Sequence, residues 1–309
     1  MDNSLRSSLL ALGLAFFFSI MIVGLAITGC ASQPVNAQSP AKGTFSLVSM
    51  GAGDPDNMTL RAQKNIAAAD IVFTMGARTD RYGDILTGKL VYDAGHRLFY
   101  YGASQGGSGA SRSGQKVKAL DGQKRKSAGQ GPRPHRSSEE IDALREKARR
   151  IIRDAVAKGK HVVILDNGDP TIFGPHIGYM REFADLNPEI VPGLSSFNAA
   201  NAALQTSVVV GESRAVALTI GRLDNGRDEI VARMIGEGST LAFFMVRNLN
   251  AFIGGLNARL PGNTPVAIVA QAGSRARQKI IRGTLDTILS RIGEEKLPAY
   301  LLYVGESLR

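Results

Sequence analysis

Cysteine is almost absent from this chain. Cys30 is the only one in 309 residues, which excludes an intramolecular disulfide and the multi-thiolate zinc and iron–sulfur sites. Tryptophan is missing altogether and aromatic residues make up 6%, so tryptophan stacking is excluded too. The four histidines, His96, His135, His161 and His176, are spaced too irregularly for a metal site. Neither a Gly-x-Ser-x-Gly elbow nor a Gly-Lys-Ser/Thr phosphate loop occurs. Apolar residues, in contrast, reach 44%, enough for a sizeable core and too many for a wholly disordered chain.

The net charge of +10 is concentrated in one place. Between residues 103 and 136, Arg112, Lys116, Lys118, Lys124, Arg125, Lys126, Arg133 and Arg136 face the single acid Asp121, in a stretch rich in Gly and Ser. Too little apolar surface lies there to order it, so a basic, disordered insert is expected. A solvated insertion explains it more simply than a contact with anionic lipid. Without interleaved aromatics it does not have the character of a nucleic-acid arm, and no nucleic-acid partner is expected.

Residues 1–42 stand apart from the fold. Leu9 to Ile27 is an uncharged apolar run, longer than the ~7–15 residues of a signal core and close to the ~20 that span a bilayer. It is followed by Ile27-Thr28-Gly29-Cys30, which resembles a bacterial lipobox with Cys30 as the lipidated residue. A plain membrane helix ending in a cysteine is the alternative. Either way the expectation is a membrane-associated protein, held by an N-terminal anchor and a Ser/Pro/Asn-containing tether. The side of the membrane is left open by the near absence of flanking charge asymmetry.

From Gly43 the chain alternates strand and helix: strands at Thr44–Met50, Asp70–Met75 and His161–Leu165, and helices from Thr59, over Glu140–Ala157 and from about Gly178 to Leu186. Ser137 with Glu140 has capping-box spacing. Strands at Ala215–Ile220, Thr240–Val246, Pro265–Ala270 and Ala299–Val304 continue the rhythm. Such alternation implies parallel α/β sheets. Two α/β domains, residues 43–205 and 206–309, are expected, joined near Gln205–Ser213.

Two glycine-rich turns follow predicted strands: Met50-Gly51-Ala52-Gly53-Asp54-Pro55, and Asn167-Gly168-Asp169-Pro170 through Gly174. Ligands of open α/β sheets bind at this carboxyl edge. The first turn fails as a dinucleotide fingerprint, because its third glycine would be Asp56. Asp54 and Asp169 would repel a diphosphate, whereas a cationic ligand or a sugar diol would meet no such repulsion.

These turns resemble the paired Gly-x-Gly-Asp-Pro and Gly-Asp-Pro motifs of the tetrapyrrole methylases. Val191-Pro192-Gly193-Leu194-Ser195-Ser196-Phe197 is similar to a third family segment, most of all in the precorrin-4 C11-methyltransferase branch. Leu241–Met245, Thr264–Ala267, Gln278–Leu285 and Val304–Glu306 extend the likeness over most of the chain from Thr44 to Glu306. Ser49, where the family often has glycine, Pro175–Tyr179, the basic insert and the anchor depart from it.

The resemblance implies two α/β domains with the cofactor cleft between them, and S-adenosylmethionine-dependent C-methylation of a tetrapyrrole by a homodimer. Asn167, Gly168, Asp169, Ser195, Ser196, Met245 and Ala272 would line the cofactor pocket. Gly53 and Pro55 would face the substrate, and Asp54 would orient or deprotonate it, with His176 as a lesser candidate. Structural alternatives stand beside these roles. Met245 could be core, Ser195 and Ser196 could cap the helix that begins at Phe197, and Asp169 could fix its own turn. Methyl transfer needs positioning rather than a nucleophilic side chain, so the lack of a catalytic constellation fits. A non-enzymatic tetrapyrrole- or ligand-binding lipoprotein of the same fold is the other function class.

Overall fold

A computed structural model describes residues 43–77, 83–99, 137–209 and 215–309. The apolar run 9–27, Cys30 with its lipobox-like sequence, the tether and the basic insert 103–136 lie outside the described residues.

The first sheet contains β1 (Thr44–Ser49), β2 (Ile71–Thr74), β3 (Leu90–Asp93), β4 (His161–Asp166) and β5 (Glu189–Val191), in the order β3-β2-β4-β1-β5. Every pairing in it is parallel. Central strands of such a sheet are covered on both faces, which is why β4 carries the apolar run Val162–Leu165 and β1 is buried from Phe45 to Ser49, its two inner serines included. Phe45, Leu47, Phe73, Val162 and Ile164 face one side, where α3 (Ser138–Ala157) brings Ala148, Ile152 and Ala155. Val48, Val72, Val163 and Leu165 face the other, against Ala62 and Ile66 of α1 (Leu60–Ala68). The capping box of α3 is complete: Ser137 Oγ accepts from the Glu140 N–H while the Glu140 carboxylate accepts from the Ser137 N–H. The short helices α2 (Gly83–Leu86) and α4 (Gly178–Glu182) also belong to this half. The helical stretch expected from Gly178 to Leu186 breaks after Glu182 and ends as a 3-10 turn, Ala184–Leu186.

Helix α5 (Ser196–Leu204) leads to the second sheet: β6 (Val216–Ile220), α6 (Arg227–Gly236), β7 (Thr240–Phe244), α7 (Leu249–Asn257), β8 (Pro265–Ala270), β9 (Lys279–Thr284), α8 (Ile288–Ile292) and β10 (Tyr300–Val304). Its order is β6-β7-β10-β8-β9. Only β6–β7 is parallel, the pair joined through a helix; β10 runs antiparallel to β7 and β8, and β9 to β8. The expected parallel rhythm therefore holds for the first sheet and fails in the second. A parallel return needs a crossover of roughly a dozen residues or more, and the short loop from Gln271 to Gln278 between β8 and β9 is too brief for one.

The two sheets meet within one compact unit, Gly43–Arg309. Ala199, Ala200 and Leu204 of α5, with Ala52 of the first turn, pack on Ala242, Ala267, Val269, Leu301 and Tyr303 of the second sheet. Tyr303 is fully buried, and its hydroxyl donates to Asn201 Oδ1 at 2.8 Å, fixing α5 on β10. Arg282 ties the same region from β9, donating to the carbonyls of Leu204 and Leu308.

Candidate active-site cleft

Because β1 and β4 are neighbours, their two glycine turns emerge side by side. Gly168 N–H donates to Gly51 O at 2.9 Å, forming a one-residue bridge. Gly51, Gly53 and Gly168 have φ of 70°, 84° and 69°, the left-handed region in which a side chain is strained. Ser49 locks the pair: its hydroxyl donates to Gly168 O and accepts from Gly51 N–H. It also fills the space in front of Gly193, where a Cβ would lie 1.9 Å from the Ser49 oxygen. A serine at 49 and the glycine at 193 are thus sterically matched.

The loop after β8 closes on the first turn. Asp54 N–H donates to Gly273 O at 2.9 Å, and the Asp54 carboxylate accepts from Ser274 Oγ and from Arg275 N–H, each at 2.8 Å. Asn57 Nδ2 donates to the carbonyls of Ala52 and Gly273. The contact at Gly53 is so close that a Cβ there would sit 2.1 Å from the Gly273 carbonyl. The Arg275 N–H, and then the Ser274 hydroxyl, hold the Asp54 carboxyl below the usual carboxylate range. Both carboxylate oxygens are thus engaged in fastening the loop to the first turn.

Between these turns and the second sheet lies a cleft of about 660 Å³. Gly53, Asn167, Gly168, Ser196, Met245 and Ala272 line it, six of the residues singled out from sequence. Asp54, Pro55, Asp169 and Ser195 are not among its lining residues. Pro55 is exposed at the start of a 3-10 turn, Pro55–Asn57. Asp169 accepts from the Thr171 N–H and hydroxyl, fixing its own turn. Ser195 is the N-cap of α5 and accepts from Asn198 N–H. Met245 is 47% exposed, which removes the alternative that it is core. His176 is 1% exposed, its N–H on Asp166 Oδ2 and its Nδ1 3.5 Å from that oxygen; Asp166 also accepts from Asn167 N–H, so it pins both ends of the second turn. His176 is not among the cleft-lining residues.

Phe244, Gln271, Arg277 and Tyr300 also line the cleft and were not foreseen. Each lies at a strand end of the second sheet or in the loop after β8. Backbone strain gathers here as well. Met245 and Gln271 have φ of 55° and 47°, and Phe173, whose ring packs on Phe244 with centroids 4.9 Å apart, has φ of 60°. Non-glycine residues held in this region cost about 1–3 kcal/mol each and cluster at functional sites. Among the described residues no group of His, Cys, Asp and Glu could hold a metal ion.

An open parallel sheet and a mixed sheet enclosing one strained cleft at their strand ends define an α/β ligand-binding protein of the two-sheet kind. The chain belongs to the tetrapyrrole (corrin/porphyrin) methylases, whose family model matches residues 44–289. The cobalt-precorrin-4 C(11)-methyltransferase of Methanocaldococcus jannaschii is 28% identical over 271 residues, 85% of this chain and 87% of that protein. The siroheme synthase of Escherichia fergusonii is 28% identical over 285 residues; these cover 91% of this chain, which spans about half (53%) of that longer protein. Among solved structures, a cobalt precorrin-4 methyltransferase superimposes with a TM-score of 0.60 at 21% identity, covering 89% of this chain and 99% of that one. The uroporphyrin-III C-methyltransferase of Thermus thermophilus in complex with S-adenosyl homocysteine does so at 0.55 and 22%, covering 86% and 99%. These likenesses establish the two-sheet α/β fold.

Proposed function

We propose that this chain is an S-adenosylmethionine-dependent C-methyltransferase whose substrate is a tetrapyrrole. The observation that carries the reading is the cleft itself, lined by glycine turns, small residues and apolar side chains, with Arg277 the only charged lining residue among the described residues. Such a wall suits a methyl donor that must be held in line and partly desolvated.

Gly168, Ser196, Met245 and Ala272 would hold the cofactor, which when bound supplies an electrophilic methyl group on a sulfonium. The positive φ of Gly168 turns its backbone toward the cleft. Asn167 presents its neighbouring peptide from the same turn. Asp54 acts at one remove: as an ionised clamp on Ser274 and Arg275, it keeps the loop bearing Ala272 against the first turn. Asp169 and Ser195 support the site by shaping the second turn and the start of α5. The reading of the fold as a non-enzymatic binding lipoprotein is not favoured, because the family to which the chain belongs is one of methylases.

The proposal extends to the parts outside the described residues. The N-terminal run would hold the enzyme at a membrane, with Cys30 lipidated, and the chain would work as a homodimer. No helix among the described residues is long and apolar enough to cross a membrane. Calorimetric titration of cofactor-free protein with S-adenosylmethionine tests the central claim: saturable binding is expected, and no binding to folded wild type overturns it. Mass spectrometry of the N-terminal peptide tests the anchor, where an unmodified Cys30 in a chain starting at Met1 would refute lipidation.

A further inference from the structure

Phe173 is held in place by the whole second turn. Thr171 is tied to the Asp169 carboxylate, Ile172 N–H donates to Asp169 O, and Gly174 packs so closely on Pro170 that a Cβ there would meet its carbonyl oxygen at 2.2 Å. The chain must therefore bend at residue 173, and it does so with a bulky residue at φ 60°. The outcome is a phenyl ring 37% exposed to solvent, lying against Phe244 at the end of β7 with an interplanar angle of 54°. Phe244 lines the cleft, and beside it stands Met245, itself exposed and at positive φ. A strained backbone that presents an aromatic ring to water gains nothing for folding, so a bound ligand is the natural reason for it.

We propose that the exposed Phe173, packed on Phe244 of the cleft lining, forms with it an apolar ledge for the substrate macrocycle and so helps to decide which substrates the enzyme accepts. The ledge joins the two sheets, since Phe173 follows β4 and Phe244 ends β7. Its ligand therefore touches both halves of the protein at once. The same cleft is lined by the exposed Arg277. An apolar face with a carboxylate fringe is the chemistry that an aromatic ledge and a guanidinium recognise together. The inference rests on the methyltransferase reading above.

Two ligands could lie flat on such a ledge, the macrocycle or the purine of the cofactor, and their affinities separate them. The experiment titrates wild type, Phe173→Ala and Phe173→Leu with uroporphyrin III by fluorescence, and with S-adenosylhomocysteine by calorimetry. Phe173→Ala is expected to weaken uroporphyrin III binding about tenfold or more while leaving S-adenosylhomocysteine affinity unchanged. Phe173→Leu should fall between, since it keeps apolar area and loses the ring. Unchanged cofactor affinity also shows that each variant is folded. Porphyrin affinity equal to wild type in all variants overturns the ledge, as does weakened cofactor affinity with porphyrin affinity intact. A wild type that binds the cofactor product but no uroporphyrin III also overturns it, whereas a wild type that binds no S-adenosylhomocysteine overturns the methyltransferase reading instead.

Discussion

Gly53-Asp54-Pro55 and Gly168-Asp169-Pro170 are the same tripeptide in the same place, the carboxyl end of a central strand of one sheet, and their aspartates do different work. Asp54 reaches across to Ser274 and Arg275 on the other sheet. Asp169 turns back on Thr171, two residues away. The difference lies in the residues immediately downstream. Thr171 offers a hydroxyl and an N–H within reach of Asp169, whereas Asp54 is succeeded by Pro55, which has no N–H, and by Asp56, which repels it. An aspartate without a local donor is free to fasten something distant. The two glycines differ in parallel: a Cβ at Gly53 would strike Gly273 at 2.1 Å, while one at Gly168 would approach nothing closer than 3.8 Å.

The comparison can be broken most sharply at those glycines. Gly53→Ala combines overpacking with left-handed strain and should cost about 3 kcal/mol or more of stability by urea denaturation. Binding of S-adenosylhomocysteine should be lost with it. Gly168→Ala should cost only about 1–2 kcal/mol, because strain is its sole penalty. Gly168→Val should remain folded yet bind no cofactor, since a branched side chain would enter the cleft. Equal destabilisation of Gly53→Ala and Gly168→Ala would contradict the assignment of the close contact to the first turn alone.

Asp54→Asn comes next. It should lower cofactor affinity several-fold in calorimetry, by loosening the loop that carries Ala272, and leave far-UV circular dichroism unchanged. Its pH behaviour is defined by the direction of the shift. The folded carboxyl sits below its unfolded value, so the clamp is fully present above the unfolded carboxylate range and is lost as pH falls through the folded pKa. The wild-type advantage over Asp54→Asn should be flat between about pH 5 and 8 and shrink only in stronger acid. An advantage that disappears near neutrality would show that another group does the fastening.

The smallest effect belongs to the local turn. Thr171→Val removes one hydroxyl donor to Asp169 and should cost about 1 kcal/mol, with cofactor affinity unchanged within error. Were Thr171→Val to reduce cofactor affinity as much as Asp54→Asn, the second aspartate would be acting on the cofactor rather than on its own turn.

Three strands of the first sheet were legible because each carries a short apolar stretch bounded by a turn or helix: Phe45, Leu47 and Val48 in β1, Ile71–Phe73 in β2 and Val162–Leu165 in β4. Strands β3 and β5 were not, since they are short edge strands of four and three residues. β9 was hidden by Lys279, Arg282 and Gly283, which an exposed edge tolerates. Six lining residues of the cleft followed from the resemblance of the motifs to the family, with the glycine turns marking where backbone must approach a ligand. The task of Asp54 was beyond reach, as its partners lie 220 and 221 residues away and no local pattern encodes them. Phe173 stands within the second glycine motif, yet nothing in the letters distinguishes a ring turned outward by a forced bend from one turned into the core.

The reach of Asp54 also bears on when the protein becomes competent during synthesis. All five strands of the first sheet are present once residue 191 has been made, so that half can assemble from contacts within the nascent chain. Its first turn then waits for Ser274 and Arg275, which follow Asp54 by 220 and 221 residues. Distant pairings of this kind form late, because loop closure must precede their reward. A ligand that needs this closed loop can engage only after Ser274 and Arg275 have reached Asp54, so it seals the fold rather than guiding its first steps.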